Sequence, residues 1–242
     1  MKTEMLHIGE QQFVVKILIE KRNNFRVSIR KQSINIHAPN FLPREELSKN
    51  IEKMKSWAKQ KILQNPEKFQ REPIKVYNDG QEIIVGADKY SLSIDYSDKS
   101  SSSARIKNNS IYLNISSSLN DSQKYKHIST LISRCLARKK LPEVKRRIEE
   151  LNNLHFQQEI KKVFLKYNQS NWGSCSERGN INISTRLLFA PQGVFDYLCV
   201  HELAHLIESN HSDKFWALVE KAIPDYKERE KWLKENGKNC KF

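Results

Sequence analysis

The chain has 242 residues, enough to bury a sizeable core as one large domain or two small ones. Its mean hydropathy of −0.69 leaves no apolar run near the ~18 residues of a membrane span, and MKTEMLHIGEQQF puts acidic and polar residues where a secretion signal needs an apolar stretch, so a cytoplasmic location is expected. The formal charge of +14 is uneven, with +5 in residues 1–99, +9 in residues 100–170 and zero in residues 171–242.

Residues 11–38 read as strands. Phe13, Val15, Ile17 and Ile19 alternate with other residues, Lys21 to Asn24 supplies turn chemistry, and Val27, Ile29, Ile34 and Ile36 resume the period of two. An antiparallel β unit is the simplest expectation. Pro39 and Pro43 break it, and Arg44 to Gln64 carries Leu47, Ile51, Met54, Trp57, Ala58 and Ile62 at the spacing of an amphipathic helix, with Trp57 expected in the core. After a connection from Pro66 to Pro73, four short strands are expected: Ile74–Tyr77, Glu82–Val85, Tyr90–Ile94 and Ile111–Ile115. Asp79-Gly80 and Lys107 to Ser110 punctuate them, and Ser97 to Ser103 reads as a polar loop.

A helical pattern runs from Asp121 to about Phe156, with Asp121 or Ser122 as N-cap and Ile128, Leu131, Ile132, Cys135 and Leu136 on one face. Pro142 predicts two helices or a break near Lys140. This segment holds the densest positive run, Arg134, Arg138, Lys139, Lys140, Lys145, Arg146 and Arg147, which reads either as a solvated helix face or as a contact for nucleic acid or an acidic partner. Lys162–Tyr167 and Asn180–Arg186 then read as an antiparallel strand pair. Pro191 opens a helix expected to reach Glu208, with Phe195, Cys199, Val200, Leu203, Leu206 and Ile207 on its packing face. Ser212 caps a helix from Asp213 to Ile223, and Pro224-Asp225 starts a last one ending near Gly237.

The chemistry concentrates in His201-Glu202-Leu203-Ala204-His205, with His211 six residues beyond. Residues four apart on a helix share a face, so His201 and His205 are placed to bind one Zn²⁺, with Glu202 beside them as general base toward a zinc-activated water. His211 is the nearest third ligand, and Glu220 or Glu228 is the competing choice. A metzincin needs a methionine turn downstream, and the only methionines are Met1, Met5 and Met54, so that subclass is excluded. Phe215 and Trp216 read as packing that fixes His211. The four cysteines, Cys135, Cys175, Cys199 and Cys240, form no C-x-x-C pair and exclude a zinc ribbon. Cys175 is either a reactive thiol or a buried structural one.

Together with this motif, Trp172-Gly173-Ser174-Cys175, Asp196-Tyr197, Asn210-His211-Ser212-x-x-Phe215-Trp216 and Pro224-Asp225-Tyr226 resemble the YgjP-like zinc metallopeptidases, related to the SprT-like zincins. The resemblance covers nearly the whole chain, about residues 11–237. It implies His201, His205 and His211 as zinc ligands and Glu202 as catalytic base. It departs at Asn171, where that family usually has arginine.

The expected fold class is α+β. A β-rich region over residues 1–120 carries one helix, and a zincin-like core over residues 121–242 holds a helix, antiparallel strands, the metal helix and C-terminal helices. The expected activity is zinc-dependent hydrolysis of peptide bonds. An extended substrate is expected to pair along Ile181, Asn182 and Ile183 as an edge strand, and Arg186, Tyr197 and Tyr226 are the candidates for stabilising the oxyanion. Two rival readings are a nucleic-acid-associated protein whose 134–147 segment localises an active or inactive peptidase core, and a structural zinc protein. Glu202 speaks against the last, because a closed structural site needs four protein ligands and no base.

Overall fold

The computed structural model describes residues 2–69 and 75–242, and the chain separates into two compact units, Met1–Pro73 and Ile74–Phe242. The class is α+β, as the sequence indicates. The expected boundary after residue 120 falls inside the second unit.

In the first unit, β1 (Lys2–Ile8), β2 (Gln11–Glu20), β3 (Arg26–Arg30) and β4 (Ser33–Pro39) form one sheet in the order β1-β2-β4-β3. The outer pairs are antiparallel hairpins, but β2 and β4 run parallel, so the purely antiparallel unit expected from the alternation is corrected. Alternation fixes which face is buried without fixing which strand lies beside which. Phe13, Val15, Ile17, Ile34 and Ile36 point to the covered face. There α1 (Arg44–Gln64) packs through Ile51, Ala58 and Ile62. Trp57 is 44% exposed, contrary to expectation, because the buried stripe of this helix is only one residue wide per turn. The short α2 (Pro66–Phe69) follows.

The second unit begins with the same plan. β5 (Glu82–Val85), β6 (Asp88–Ser97), β7 (Ser103–Lys107) and β8 (Ser110–Ser116) take the order β5-β6-β8-β7, again with two hairpins and a parallel central pair. A helix, α3 (Asp121–His155), again follows. Elements opening at Gln11, Arg26, Ser33 and Arg44 match elements opening at Asp88, Ser103, Ser110 and Asp121, a constant displacement of 77 residues. The turns match as well. Gly9 and Gly86 lie at φ +58° and +60°, Gln32 and Asn109 at +56° and +60°, and the Val14 N–H to Gln32 carbonyl bond (2.9 Å) recurs from Ser91 to Asn109 (3.0 Å). The strand expected at Ile74–Tyr77 is absent over residues 75–77, and Ile74 lies outside the described residues.

Asn120, rather than Asp121 or Ser122, caps α3 in a reciprocal capping box with Gln123. The helix runs through Pro142 without a break. Pro142 and Arg138 are both exposed, so the carbonyl that loses its partner faces the solvent side, where the loss is cheapest. Beyond α3, β9 (Lys162–Lys166), β10 (Gly173–Cys175) and β11 (Asn180–Ser184) form a sheet ordered β10-β11-β9. β9 and β11 are parallel, correcting the expected antiparallel pair, because the intervening chain is long enough to return and insert β10 as the antiparallel neighbour. A 3₁₀ turn (Thr185–Phe189) leads to α4 (Gln192–Ala204), followed by α5 (Asp213–Ala222) and α6 (Tyr226–Asn236). Every residue of α4 from Val194 to Ala204 is buried except the partly exposed His201. Asp196, buried at the third turn from the end, accepts two hydrogen bonds of 2.9 Å from Arg147 of α3 and one of 2.8 Å from Gln192.

Candidate metal centre

α4 is apolar on nearly all sides, so it sits in the core and carries its motif at a fixed height against β10, α3, α5 and α6. It ends at Ala204 instead of Glu208. His205 takes the cap position with helical φ and ψ, which keeps it one turn above His201, whereas Ile207, expected to pack, is 49% exposed. The chain then turns through Glu208 to Asn210 and returns with His211.

One donor nitrogen from each of His201, His205 and His211 lies within 4.8 Å of the others. The Nε2 atoms of His201 and His211 stand 3.1 Å apart. Nδ1 of His205 is 3.1 Å from the Glu208 carbonyl, so as an N–H donor it leaves Nε2 to face the cluster. Burial and the two neighbouring imidazoles push the His201 pKa down to about 4, which keeps that ring neutral. Three imidazole nitrogens converging on one point are the donor set a borderline-soft divalent cation takes. Glu220 and Glu228 are exposed and lie outside the cluster.

Glu202 is buried, and burial pushes its carboxyl up to about 8. It lies against β10 so closely that a Cβ built on Gly173 would come within 2.5 Å of Glu202 Oε1. Glycine is therefore required at this position of the Trp-Gly-Ser-Cys stretch, a role that spacing alone did not reveal. Asn171 donates to the Gly173 carbonyl at 3.1 Å, so the residue standing at the departure from the family pattern supports the same strand. Burial and the Glu202 charge raise the Cys175 thiol to about 11, which disfavours a reactive thiolate.

Two site expectations need correction. Arg186 does not face the histidines: its guanidinium donates to the carbonyls of Gln169 (3.1 Å), Gly237 (2.8 Å) and Cys240 (2.9 Å) and stacks on Trp172 at 3.9 Å. These three donors hold backbone carbonyls of the 169–172 stretch and the C-terminal turn. Ile181, Asn182 and Ile183 belong to β11, the central strand with neighbours on both sides, so they cannot form an open edge. The outer strand on that side is β10.

Tyr197 is brought to His201, and Tyr226 packs behind it. Tyr197 lies one turn below His201 with ring centroids 6.1 Å apart, and Tyr226 stacks on Tyr197 at 6.4 Å. Both are buried, and burial with the Glu230 charge pushes the Tyr197 hydroxyl well above its ordinary range.

A family model, "YgjP-like, metallopeptidase domain", matches residues 23–236. The chain belongs to the YgjP-like family. It is accordingly a metallopeptidase. Among solved structures it is similar to the metallopeptidase zymogen of Pyrococcus abyssi abylysin, at 28% identity over 38% of this chain and 93% of that one, with a TM-score of 0.35. It is also similar to the zymogen of Methanocaldococcus jannaschii jannalysin, at 18% identity over 38% and 94%, with a TM-score of 0.34. No curated protein matches the chain.

Proposed function

We propose that this YgjP-like chain is a zinc-dependent peptidase in which His201, His205 and His211 hold the metal and Glu202 is the general base. The observation that carries the reading is the convergence of three imidazole donors within 4.8 Å beside the buried Glu202 carboxyl. When bound, zinc supplies a Lewis acid that polarises the scissile carbonyl and makes water acidic enough to give up a proton near neutral pH. Glu202 takes that proton and delivers it to the leaving amine. Its burial under Gly173 excludes competing solvent from the carboxylate. The outer edge of β10 takes over the substrate-pairing role expected of β11, and an extended peptide adds there by main-chain hydrogen bonds. Tyr197 and Tyr226 stay as the oxyanion candidates. Among the described residues no helix is long and apolar enough to cross a membrane. The four cysteines are all free, which suits a cytoplasmic setting.

Glu202→Gln tests the mechanism. The variant is expected to retain zinc while cleavage of a mixed peptide library falls by roughly 10²–10⁴-fold. Undiminished cleavage would remove Glu202 from the reaction.

A second reading concerns the positive run on α3, which the structure divides. Lys140 pairs with Asp88 and Glu143, Arg146 with Glu150, and Arg147 with Asp196 and Glu150. Arg134, Arg138, Lys139 and Lys145 are exposed and have no ion pair among the described residues. These four are the ones a nucleic acid would meet, localising the peptidase on it. Binding to duplex DNA that weakens steeply with salt is the expected result, and no binding at low salt would discard this reading.

A further inference from the structure

His211 is the ligand with least support from its own backbone. It is exposed, and no residue from Glu208 to Ser212 belongs to a helix or strand. Its ring is nevertheless held on two sides, stacked on Trp216 at 5.8 Å and 25° and edge-on to the fully buried Phe215 at 4.7 Å and 82°. Trp216 lies in turn on Tyr226 at 5.3 Å and 18°. Tyr226 stacks on Tyr197, Tyr197 meets His201, and His201 meets His211 at 5.0 Å. Five rings from α4, the return loop, α5 and α6 thus close a circuit that begins and ends at the metal ligands.

We infer that Tyr226 is a positioning residue for the third metal ligand, holding His211 in place through the face of Trp216. The inference rests on the three-histidine reading above. Among the described ring contacts Tyr226 touches no histidine, so any influence on the metal passes through Trp216 and Tyr197. Tyr226 is 8% exposed and opens α6, with its N–H bonded to the Ile223 carbonyl at 3.1 Å, which makes it a fixed wall. Trp216 is caught between that wall and His211. Removing the wall frees the indole to tilt, and the imidazole then loses its stacking surface while its loop gains freedom. Supports of a metal ligand typically govern 10- to 100-fold in metal affinity, and Trp216 is the support of His211 that Tyr226 holds.

The test uses the full chain, with zinc affinity measured by competition against a chelating dye and the Co²⁺ absorption spectrum recorded for coordination. Tyr226→Phe keeps the ring and is expected within about twofold of wild type. Tyr226→Leu is expected to bind zinc roughly 10- to 100-fold more weakly, with a cobalt spectrum shifted toward that of His211→Ala. Loss of fold alone would lower the unfolding midpoint without moving the spectrum toward His211→Ala. Should Tyr226→Leu not fold, Tyr226→Met, which keeps bulk without a ring, takes its place with the same expectation. Wild-type affinity and spectrum in the ringless variant would overturn this inference alone. A wild-type chain that binds no zinc would remove the three-histidine reading and this inference with it.

Discussion

The two four-stranded sheets are built alike and the helices that follow them are not. Shifted by 77 residues, Phe13, Val15, Ile17, Ile34 and Ile36 fall on Tyr90, Leu92, Ile94, Ile111 and Leu113, all buried. Ile51 of α1 falls on Ile128 of α3, and both are buried against their sheets. On the adjoining side the match ends. Ser129, Ile132, Ser133 and Leu136 of α3 are buried, and the Ser133 hydroxyl bonds that of Thr185 at 2.8 Å, where the catalytic half of the unit begins. The corresponding residues of α1 are Glu52, Lys55, Ser56 and Lys59, of which all but Lys55 are exposed. One scaffold therefore serves twice, and what lets the second copy carry a peptidase is a helix that is apolar on two sides instead of one.

The largest expected effect comes from removing that difference. Leu136→Lys places a charge in a fully buried site and is expected to cost on the order of 4 kcal/mol or more, whereas Lys59→Leu at the matching position of α1 should change stability by about 0.5 kcal/mol or less. Denaturant titration of both variants checks this, and comparable losses would show the second faces to be equivalent. Next in size is Phe13→Ala, expected to destabilise the first unit by about 3–5 kcal/mol while zinc content and cleavage by the second unit are retained. A parallel loss of zinc would show that the copies are not separable. Asp196→Ala removes a tie that α3 has and α1 lacks. Because the Arg147 side chain is 39% exposed, the expected cost is about 1–3 kcal/mol, below that of a fully buried pair, and it reads out as a lower unfolding midpoint of the second unit. The smallest effect is shared: Gly9→Ala and Gly86→Ala meet no neighbouring atom within 4 Å, so each should cost only the ~1 kcal/mol of a left-handed backbone. Unequal costs would show that the matched turns differ in strain.

The histidine cluster was legible because four residues make a helical turn: His201 and His205 need no long-range knowledge to share a face. His211 was legible as the nearest imidazole, and the alternating strands were legible from their period. The repeat was not. Gly9 and Gly86, Ile17 and Ile94, and Ser33-Ile34 and Ser110-Ile111 coincide, but most matched positions keep only polarity and spacing, and β1 and β7 carry weak patterns. Parallel pairing of β2 with β4 and of β9 with β11 is set by long-range partners, which no local period encodes. That Arg186 holds carbonyls was not legible, because a cation near the motif in sequence can as readily hold backbone as charge. Gly173 was read only as part of a pattern, since close approach to Glu202 is visible only when both elements are in place.

Arg186 gives the centre an unexpected mechanical address. Its one guanidinium joins the Gln169 carbonyl, the Trp172 ring and the carbonyls of Gly237 and Cys240, and Gly237 leaves no room for a side chain against Trp172. The turn from Gly237 to Asn239 is thus a latch on the strand that covers the Glu202 carboxyl. A backbone nick between Gly237 and Cys240 would loosen the support of Trp172, the neighbour of Gly173, although the two segments lie far apart in sequence.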